Sequence, residues 1–126
     1  MSGARIKSVT PEAIAEAAGI IRDGGVVAFP TETYYGLAAD PWSEAALDLV
    51  FEVKDRSPSK PILTLVHAQQ QLSLLVEEIP PVFEPLIRRF WPGPLTLLFQ
   101  ALRSLPLRLT GGSGTIGVRI SSQPVA

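Results

Sequence analysis

The chain has 126 residues, 46% of them hydrophobic, and its 11 basic and 12 acidic residues give a net charge of −1. This length is typical of one compact domain with a buried core, and the nearly balanced charge excludes the broad electrostatic attraction on which non-specific nucleic-acid binding depends. Cysteine is absent and His67 is the only histidine, which excludes a disulfide, a thiolate metal site and a histidine-rich zinc centre.

The N-terminal residues do not have the pattern of a secretory signal. Residues 1–7 carry two cations, but no apolar run follows them. The longest apolar stretches, such as residues 94–99, are far shorter than the roughly 20 residues that a membrane-spanning helix needs. We therefore expect a cytoplasmic protein without a membrane segment.

A first helix is predicted from Thr10 to about Asp23. Threonine caps the free amides of a helix start, Pro11 is tolerated at the first helical position, and the glycine pair at 24–25 allows the left-handed geometry at which helices commonly stop. The run Val26-Val27-Ala28-Phe29 that follows is continuously apolar, which is typical of a strand buried on both faces. We interpret this run as a central strand of a sheet.

A second helix, capped by Ser43, contains apolar residues at helical spacing and ends at the polar segment 54–61, which is predicted to be a loop. The next elements are shorter and are bounded by prolines and polar residues. They are predicted as a strand at 62–66, a short helix at 69–77, a helix at 82–90 and a strand at 95–100.

The segment Thr115–Ile120 alternates between apolar and other residues, which predicts a half-buried strand. Ile116, Val118 and Ile120 fall on the buried face. Thr115, Gly117 and Arg119 fall on the opposite face, which is the one available for chemistry. Since helices alternate with strands along the chain, we expect an α/β sandwich built around one sheet.

The segment 30–37 leaves the first predicted strand with two hydroxyl groups, a carboxylate and two phenols. Ligands of α/β proteins often bind just beyond the carboxyl ends of strands, so this segment is a candidate binding loop. The alternative is a turn in which the threonines only satisfy neighbouring backbone groups. The segment by itself leaves both interpretations open.

Two cations, Lys54 and Arg56, follow the second helix closely, with Lys60 behind them. Arginine offers a planar fork and lysine a movable point charge, so the group suits a phosphate. The alternative is that these cations only complement the negative end of a helix dipole. The P-loop pattern G-x-x-x-x-G-K-S/T is absent from the sequence, so a nucleotide would have to be held in another way.

The glycine-rich segment 111–114 precedes Thr115 and Arg119. Glycines let backbone amides approach an anion, and a threonine and an arginine on one strand face can hold two ends of a small polar ligand; a flexible hairpin loop is the alternative. The segment Trp91-Pro92-Gly93-Pro94 is predicted to be a rigid turn that packs an aromatic ring and has an architectural role.

Four motifs in this order resemble the YrdC-like family. They are Pro30-Thr31-Glu32-Thr33-x-Tyr35-Gly36-Leu37, Lys54-x-Arg56 with Lys60-Pro61, Trp91-Pro92-Gly93-Pro94-Leu95-Thr96, and Thr115-x-Gly117-Val118-Arg119. The resemblance implies an α/β fold with a twisted mixed β-sheet flanked by helices and a wide ligand cavity. It also implies a nucleotidyltransferase that makes L-threonylcarbamoyl-AMP and pyrophosphate from L-threonine, bicarbonate and ATP with Mg²⁺. The product then serves proteins that modify adenosine 37 of tRNA.

The same resemblance implies roles for individual residues. Thr31 and Arg119 would hold L-threonine, with the arginine pairing to its carboxylate. ATP would be bound by Lys54, Arg56 and Thr115. The residues expected to line the cavity are Glu32, Thr33 and Tyr35. No catalytic residue or metal ligand is assigned, because the reaction needs positioning and charge neutralisation rather than a covalent nucleophile.

The sequence departs from the family pattern at several positions. Tyr34 replaces the usual valine, Ser121 replaces the usual proline two residues after the strand arginine, and Leu65 stands where many members have a histidine. His67 could substitute for that histidine from the same strand face, or it could be a solvent-facing residue at a strand end. Both interpretations of His67 stay open.

The family's Ser-x-Asn segment, which contacts both substrates, does not occur in residues 1–126. We therefore interpret these residues as a single YrdC-like domain whose C-terminal part is missing, either a fragment or a shortened homologue. Residues 1–126 alone are then not expected to match the rate of a longer relative.

Two other functions are compatible with the motifs. A YrdC-like module could bind RNA without catalysis, and the net charge of −1 predicts weak and salt-sensitive contact with tRNA or double-stranded RNA. The YrdC-like domain of hydrogenase-maturation carbamoyltransferases is the other possibility. Those proteins attach it to a cysteine-rich zinc region, whereas this chain has no cysteine.

Overall fold

The computed structural model describes residues 5–54 and 62–126. These ranges contain four α-helices and five strands. In chain order they are α1 (Pro11–Arg22), β1 (Val27–Pro30), β2 (Tyr35–Ala38), α2 (Glu44–Lys54), β3 (Thr64–Leu65), α3 (Glu84–Phe90), β4 (Leu97–Gln100), α4 (Leu107–Thr110) and β5 (Thr115–Arg119), with 3₁₀ turns at Gln69–Leu74 and Pro81–Phe83. The predicted α/β class is therefore confirmed.

Helix α1 begins and ends where the sequence predicts. The Thr10 hydroxyl accepts a hydrogen bond from the backbone N–H of Ala13 at 3.0 Å, and Pro11 occupies the first turn. At the other end Asp23 is the C-cap, and Gly24 follows with a φ of +89°, a conformation that glycine adopts without strain. Local capping thus defines both ends of a helix that has no buried residue.

The strands form two sheets rather than the single sheet that we expected. Strand β1 pairs antiparallel with β2 in a two-stranded hairpin, while β5 lies between β3 and β4 in a second sheet. The second sheet is mixed, because β5 is parallel to β3 and antiparallel to β4. A mixed sheet was predicted, and that part of the prediction is confirmed.

The prediction that β1 is a central strand buried on both faces is wrong. Among the described residues it pairs only with β2, Ala28 is exposed, and the other three residues are half-buried. The reason is the turn at Thr31–Tyr34, which reverses the chain at once and pairs Phe29 with Gly36. A continuous apolar run predicts a strand, but it does not predict how many other strands will pair with it.

The main core lies between the mixed sheet and the helices and turns that cover one of its faces. Phe99 is 1% exposed, and Ile116 and Val118 are fully buried, as the alternation along β5 predicts. Ile120, predicted on the same face, is only half-buried, and Gly117, predicted on the opposite face, is buried as well. The ring of Phe83 packs edge-on against Phe99 with centroids 5.3 Å apart. Helix α2 contributes Leu47 to this core, and its other buried residues are Ala46, Val50 and Phe51.

Three smaller differences from the predicted elements concern their length. The segment 62–66 contains only a two-residue strand, the segment 69–77 is a 3₁₀ turn rather than an α-helix, and α2 continues through Lys54, which we had placed in a loop. The short helix α4 was not predicted. Among the residues that the structure describes, no helix is both long and apolar enough to cross a membrane.

Candidate functional site

The face of the mixed sheet opposite the core carries the candidate site. Strand β5 presents Thr115, Gly117 and Arg119 there, and β4 lies beside it with Leu98 opposite Gly117. A Cβ at Gly117 would lie 3.2 Å from a methyl group of Thr96 and 3.4 Å from Leu98. The absence of a side chain at Gly117 thus leaves room for neighbouring groups on this face.

The guanidinium of Arg119 is held at two of its edges. Its Nε and Nη2 donate to the hydroxyl of Thr96 at 3.2 and 2.9 Å. Its Nη1 forms an ion pair with the Glu32 carboxylate, also at 3.2 Å. Because the Arg119 side chain is only 16% exposed and that of Glu32 10%, water screens this pair less than it screens a surface ion pair. The cation therefore has a defined orientation.

Glu32 also accepts a hydrogen bond from the Ser121 hydroxyl. Burial raises the pKa of Glu32, but the hydrogen bonds from Ser121 and Arg119 and the charge of Arg119 outweigh burial, so that the pKa lies below its usual value of 4.5. Glu32 is consequently ionised at neutral pH. It serves as an acceptor and a counter-charge rather than as a proton donor.

Thr31 lies in the turn that connects β1 and β2, and its hydroxyl is used locally. The hydroxyl donates to the carbonyl of Tyr34 at 2.6 Å and accepts from the backbone N–H groups of Thr33 and Tyr34. The interpretation of this segment as a turn with locally satisfied threonines is therefore confirmed for Thr31. Its predicted contact with L-threonine stays a prediction.

Thr33 and Tyr35 are exposed at the tip of the same hairpin, and Tyr35 keeps 78% of its surface accessible. The hairpin brings Glu32 into contact with Arg119, and these two residues form a polar cluster with Thr96 and Ser121. The described contacts do not bring Thr33 or Tyr35 to this cluster. Their predicted place in the lining of a wide cavity, and the cavity itself, remain predictions.

Thr115 begins β5, directly after the glycine-rich loop. Its hydroxyl lies 2.9 Å from that of Ser113, and Gly111, Gly112 and Gly114 all have positive φ angles. Thr115 shares the open face with Arg119 and lies four residues before it, about 13 Å away along an extended strand. The loop connects α4 to β5, so it is not the turn of a two-stranded hairpin.

Lys54 is exposed in the last turn of α2. This position agrees with the helix-dipole interpretation and leaves the side chain accessible to a phosphate, so both alternatives stay open. Arg56 and Lys60 lie outside the described residues. The predicted cation cluster can thus be located only at its first member.

The segment Trp91–Pro94 has the architectural role that was predicted. The Trp91 ring is 8% exposed, and its Nε1 donates to the carbonyl of Leu95 at 2.7 Å. The backbone N–H of Gly93 donates to the carbonyl of Ile120 at 2.9 Å. This turn therefore fixes the end of β5, next to Arg119, against the start of β4.

His67 is exposed just after β3. Its backbone N–H donates to the side chain of Gln71 at 2.7 Å. The solvent-facing interpretation of this histidine is confirmed. In the part of the chain that the structure describes, no three side chains of His, Asp or Glu are grouped so that they could hold a metal ion.

Two residues of the cluster were not assigned a role from the sequence. Thr96 holds Arg119, and Ser121 holds Glu32. Strand alternation offers a signal for Thr96, since the register of β4 and β5 continues to a pairing of positions 96 and 119. No local signal connects Ser121 with Glu32, because 89 positions separate them.

Known proteins are similar to this chain in sequence and in fold. The chain is 44% identical over 110 residues to the threonylcarbamoyl-AMP synthase of Pyrococcus abyssi, with 87% of this chain and 32% of that protein covered. It is 36% identical over 109 residues to the threonylcarbamoyl-AMP synthase of Pseudomonas aeruginosa, with 86% and 59% covered. The chain thus spans about a third to three fifths of the length of these relatives.

The fold agrees with the sequence comparison. A crystal structure of P. abyssi Sua5 complexed with L-threonine has a TM-score of 0.89 and 41% identity to this chain, covering 94% of this chain and 35% of that one. Residues 19–126 match the Sua5/YciO/YrdC family, which bears the description "Telomere recombination". The chain belongs to the Sua5/YciO/YrdC family.

Proposed function

We propose that this domain takes part in the synthesis of L-threonylcarbamoyl-AMP from L-threonine, bicarbonate and ATP, with release of pyrophosphate. The observation that carries the proposal is the oriented guanidinium of Arg119 on the open face of the mixed sheet. It lies in a chain similar to threonylcarbamoyl-AMP synthases, and one similar structure is a complex with L-threonine.

Arg119 has donors to spare for a substrate carboxylate. Arginine has five N–H groups, and three of them point to Thr96 or Glu32, one from each nitrogen. Two N–H groups, one on Nη1 and one on Nη2, then remain for a ligand. A carboxylate accepts such a pair in the bidentate arrangement that gives arginine its preference for this group. Thr31 would contribute from the neighbouring hairpin.

ATP would bind towards the other end of β5, with Lys54, Arg56 and Thr115 directed at it. The separation of about 13 Å between Thr115 and Arg119 along the strand gives two ligands space to lie next to each other on one face. A lysine and an arginine suit a triphosphate, since one supplies a movable charge and the other a planar fork.

The chemistry requires no covalent attachment to the protein. The amine of L-threonine reacts with bicarbonate and loses water, or it adds to carbon dioxide derived from bicarbonate and loses a proton. Either route gives the carbamate. A carbamate oxygen then attacks the α-phosphorus of ATP. The bond from this phosphorus to the β-phosphate oxygen breaks, and pyrophosphate leaves. The protein would hold the two reactants in line and neutralise their charges.

Mg²⁺ would enter with ATP and neutralise its phosphates, because this ion is usually held by substrate phosphates together with a few carboxylates and waters. Glu32 is the carboxylate nearest to Arg119, but both of its oxygens already have partners. It is therefore a poor fit as a ligand, and we assign none. The product would then pass to proteins that transfer the threonylcarbamoyl group to tRNA.

The test is release of pyrophosphate from ATP by the full-length chain, meaning the product of the complete reading frame that contains residues 1–126. We expect release to require both L-threonine and bicarbonate, and omission of each is the internal control. Release that ignores L-threonine, or no release with both substrates present, would contradict the proposal.

Variants of Arg119 test its assignment. Arg119→Ala is expected to weaken L-threonine binding by a few kcal/mol and ATP binding far less, since a buried charge pair to the carboxylate is lost. Arg88→Ala, an exposed arginine on α3, is the matched control. Calorimetry with each ligand measures both affinities, and equal losses for L-threonine and ATP would contradict the assignment.

Variants of Lys54 and Arg56 test the proposed ATP site. Lys54→Ala and Arg56→Ala are expected mainly to raise the KM for ATP, and Arg56→Lys is not expected to restore it because the planar fork is lost. Steady-state kinetics at saturating L-threonine measure this effect. An unchanged KM for ATP in all three variants would favour the helix-dipole interpretation.

A further inference from the structure

Glu32 joins two parts of the chain that are far apart in sequence. It lies 87 positions from Arg119 and 89 from Ser121 and contacts both side chains. Among the described residues, only one other ion pair connects residues 5–54 with residues 62–126, namely Asp48 with Arg108 at 3.0 Å. That second pair is considerably more exposed than the pair of Glu32 with Arg119.

The hydrogen bonds around Glu32 orient one another. The Ser121 hydroxyl accepts from the backbone N–H of Gln123 at 3.1 Å, which directs its own proton to Glu32. The second oxygen of Glu32 accepts from Nη1 of Arg119, and Thr96 accepts from the opposite edge of the guanidinium. The arginine is thus fixed between two acceptors, one in the turn between β1 and β2 and one just before β4.

These contacts have two opposing consequences for a bound carboxylate. The negative charge of Glu32 reduces the attraction of Arg119 for an anion, which would weaken binding. The same contact removes rotamer freedom from a long side chain before the ligand arrives, which would strengthen binding. It also docks the hairpin that carries Thr31 beside Arg119. Whether removal of the Glu32 charge weakens or strengthens L-threonine binding therefore shows which of the two consequences is larger.

We propose that Glu32 is a positioning residue for the amino-acid substrate. It orients Arg119 and, together with Ser121, fixes the hairpin with Thr31 on the end of β5, so that both residues meet the same ligand. This proposal rests on the proposed function. The gain from orientation exceeds the loss from partial neutralisation of the cation, because Arg119 keeps two donors for a carboxylate while it is held.

The experiment measures L-threonine and ATP affinity by calorimetry on the full-length chain. Glu32→Gln keeps the shape of the side chain but removes its charge, and it is expected to weaken L-threonine binding about tenfold, with ATP affinity unchanged. Ser121→Ala is expected to weaken L-threonine binding in the same direction, but less. In an Arg119→Ala background, Glu32→Gln is expected to weaken L-threonine binding less than it does in the wild type, because only its effect on the hairpin remains.

Asp48→Asn is the matched control, since it removes the other ion pair between the two parts of the chain. It is expected to leave L-threonine affinity unchanged even if the midpoint of thermal unfolding falls. The Nε–H signal of Arg119 in a nitrogen–proton NMR spectrum adds a readout that does not depend on substrate. We expect this signal to shift or broaden in Glu32→Gln but not in Asp48→Asn.

The outcomes separate the two proposals. If the wild-type protein binds no L-threonine, the proposed function fails and the role of Glu32 fails with it. If the wild type binds L-threonine and Glu32→Gln binds it equally well or more tightly, only the positioning role is overturned. Should Glu32→Gln fail to fold, Ser121→Ala decides, because a purely structural link would lower the unfolding midpoint without changing L-threonine affinity.

Discussion

The two sheets of this chain are stabilised in different ways. In the mixed sheet, Ile116, Val118 and Phe99 are buried almost completely, so its position is fixed by apolar packing. In the hairpin of β1 and β2, no residue is fully buried, and the turn is held by the Thr31 hydroxyl. The polar cluster lies where the two meet, which shows that the rigid sheet supplies the cation and the hairpin supplies its counter-charge.

The largest expected difference between the two regions concerns their phenylalanines. Phe99→Ala is expected to lower the free energy of unfolding by about 3–5 kcal/mol, since it leaves a cavity in the core. Phe29→Ala, in the half-buried β1, is expected to cost less than about 2 kcal/mol, because less apolar surface returns to water. Urea denaturation of both variants measures the difference. Equal losses would mean that the hairpin belongs to the same cooperative core.

A second difference concerns two glycines. In Gly93→Ala the new methyl group would overlap the backbone oxygen of Phe90, so a loss of about 1–3 kcal/mol in unfolding free energy is expected. In Gly36→Ala the nearest atom is a ring carbon of Phe29 at 3.7 Å, an ordinary contact, and the change should stay within about 0.5 kcal/mol. Thermal unfolding compares the two variants. A larger loss at Gly36 would contradict the view of a loosely packed hairpin.

The two helix caps are expected to differ in whether they stabilise the whole domain or one helix. Loss of a capping hydroxyl typically costs about 1 kcal/mol. Ser43 caps α2, whose apolar side enters the core, so Ser43→Ala is expected to lower global stability by that amount. Thr10 caps α1, which has no buried residue, so Thr10→Ala should mainly speed amide hydrogen exchange within α1. Exchange measured together with urea denaturation separates local from global loss, and equal global losses would contradict this expectation.

The smallest expected effect is the acid dependence of the contact between the two regions. The pKa of Glu32 is lower in the folded chain than its usual value of 4.5, so the unfolded chain binds this proton more readily. The resulting stabilisation is complete above about pH 5 and is lost as pH falls through the folded-state pKa. The stability of the wild type should therefore decline more steeply below pH 4.5 than that of Glu32→Gln. Urea midpoints between about pH 3 and pH 6 measure the slopes, and parallel slopes would exclude this contribution.

The candidate site was predictable in part. The alternation along β5 placed Arg119 and Thr115 on the open face, and the resemblance to the YrdC-like family assigned both to substrates. The Thr31 segment was identified and a turn was one of its two interpretations, but the second strand of its hairpin was not predicted. No sequence pattern predicted the pairing of Glu32 with Arg119, because ion pairs between distant positions depend on how separate elements pack.

Features that depend on neighbouring residues could be predicted from the sequence alone. The capping hydroxyl of Thr10, the left-handed glycine at 24 and the burial of Ile116 and Val118 on β5 depend on a few positions, and each was found where the pattern predicts. Tertiary packing places β1 in a hairpin outside the main sheet. It also places Arg119 between Thr96 and Glu32, since these contacts form only when distant segments exclude water from the same space.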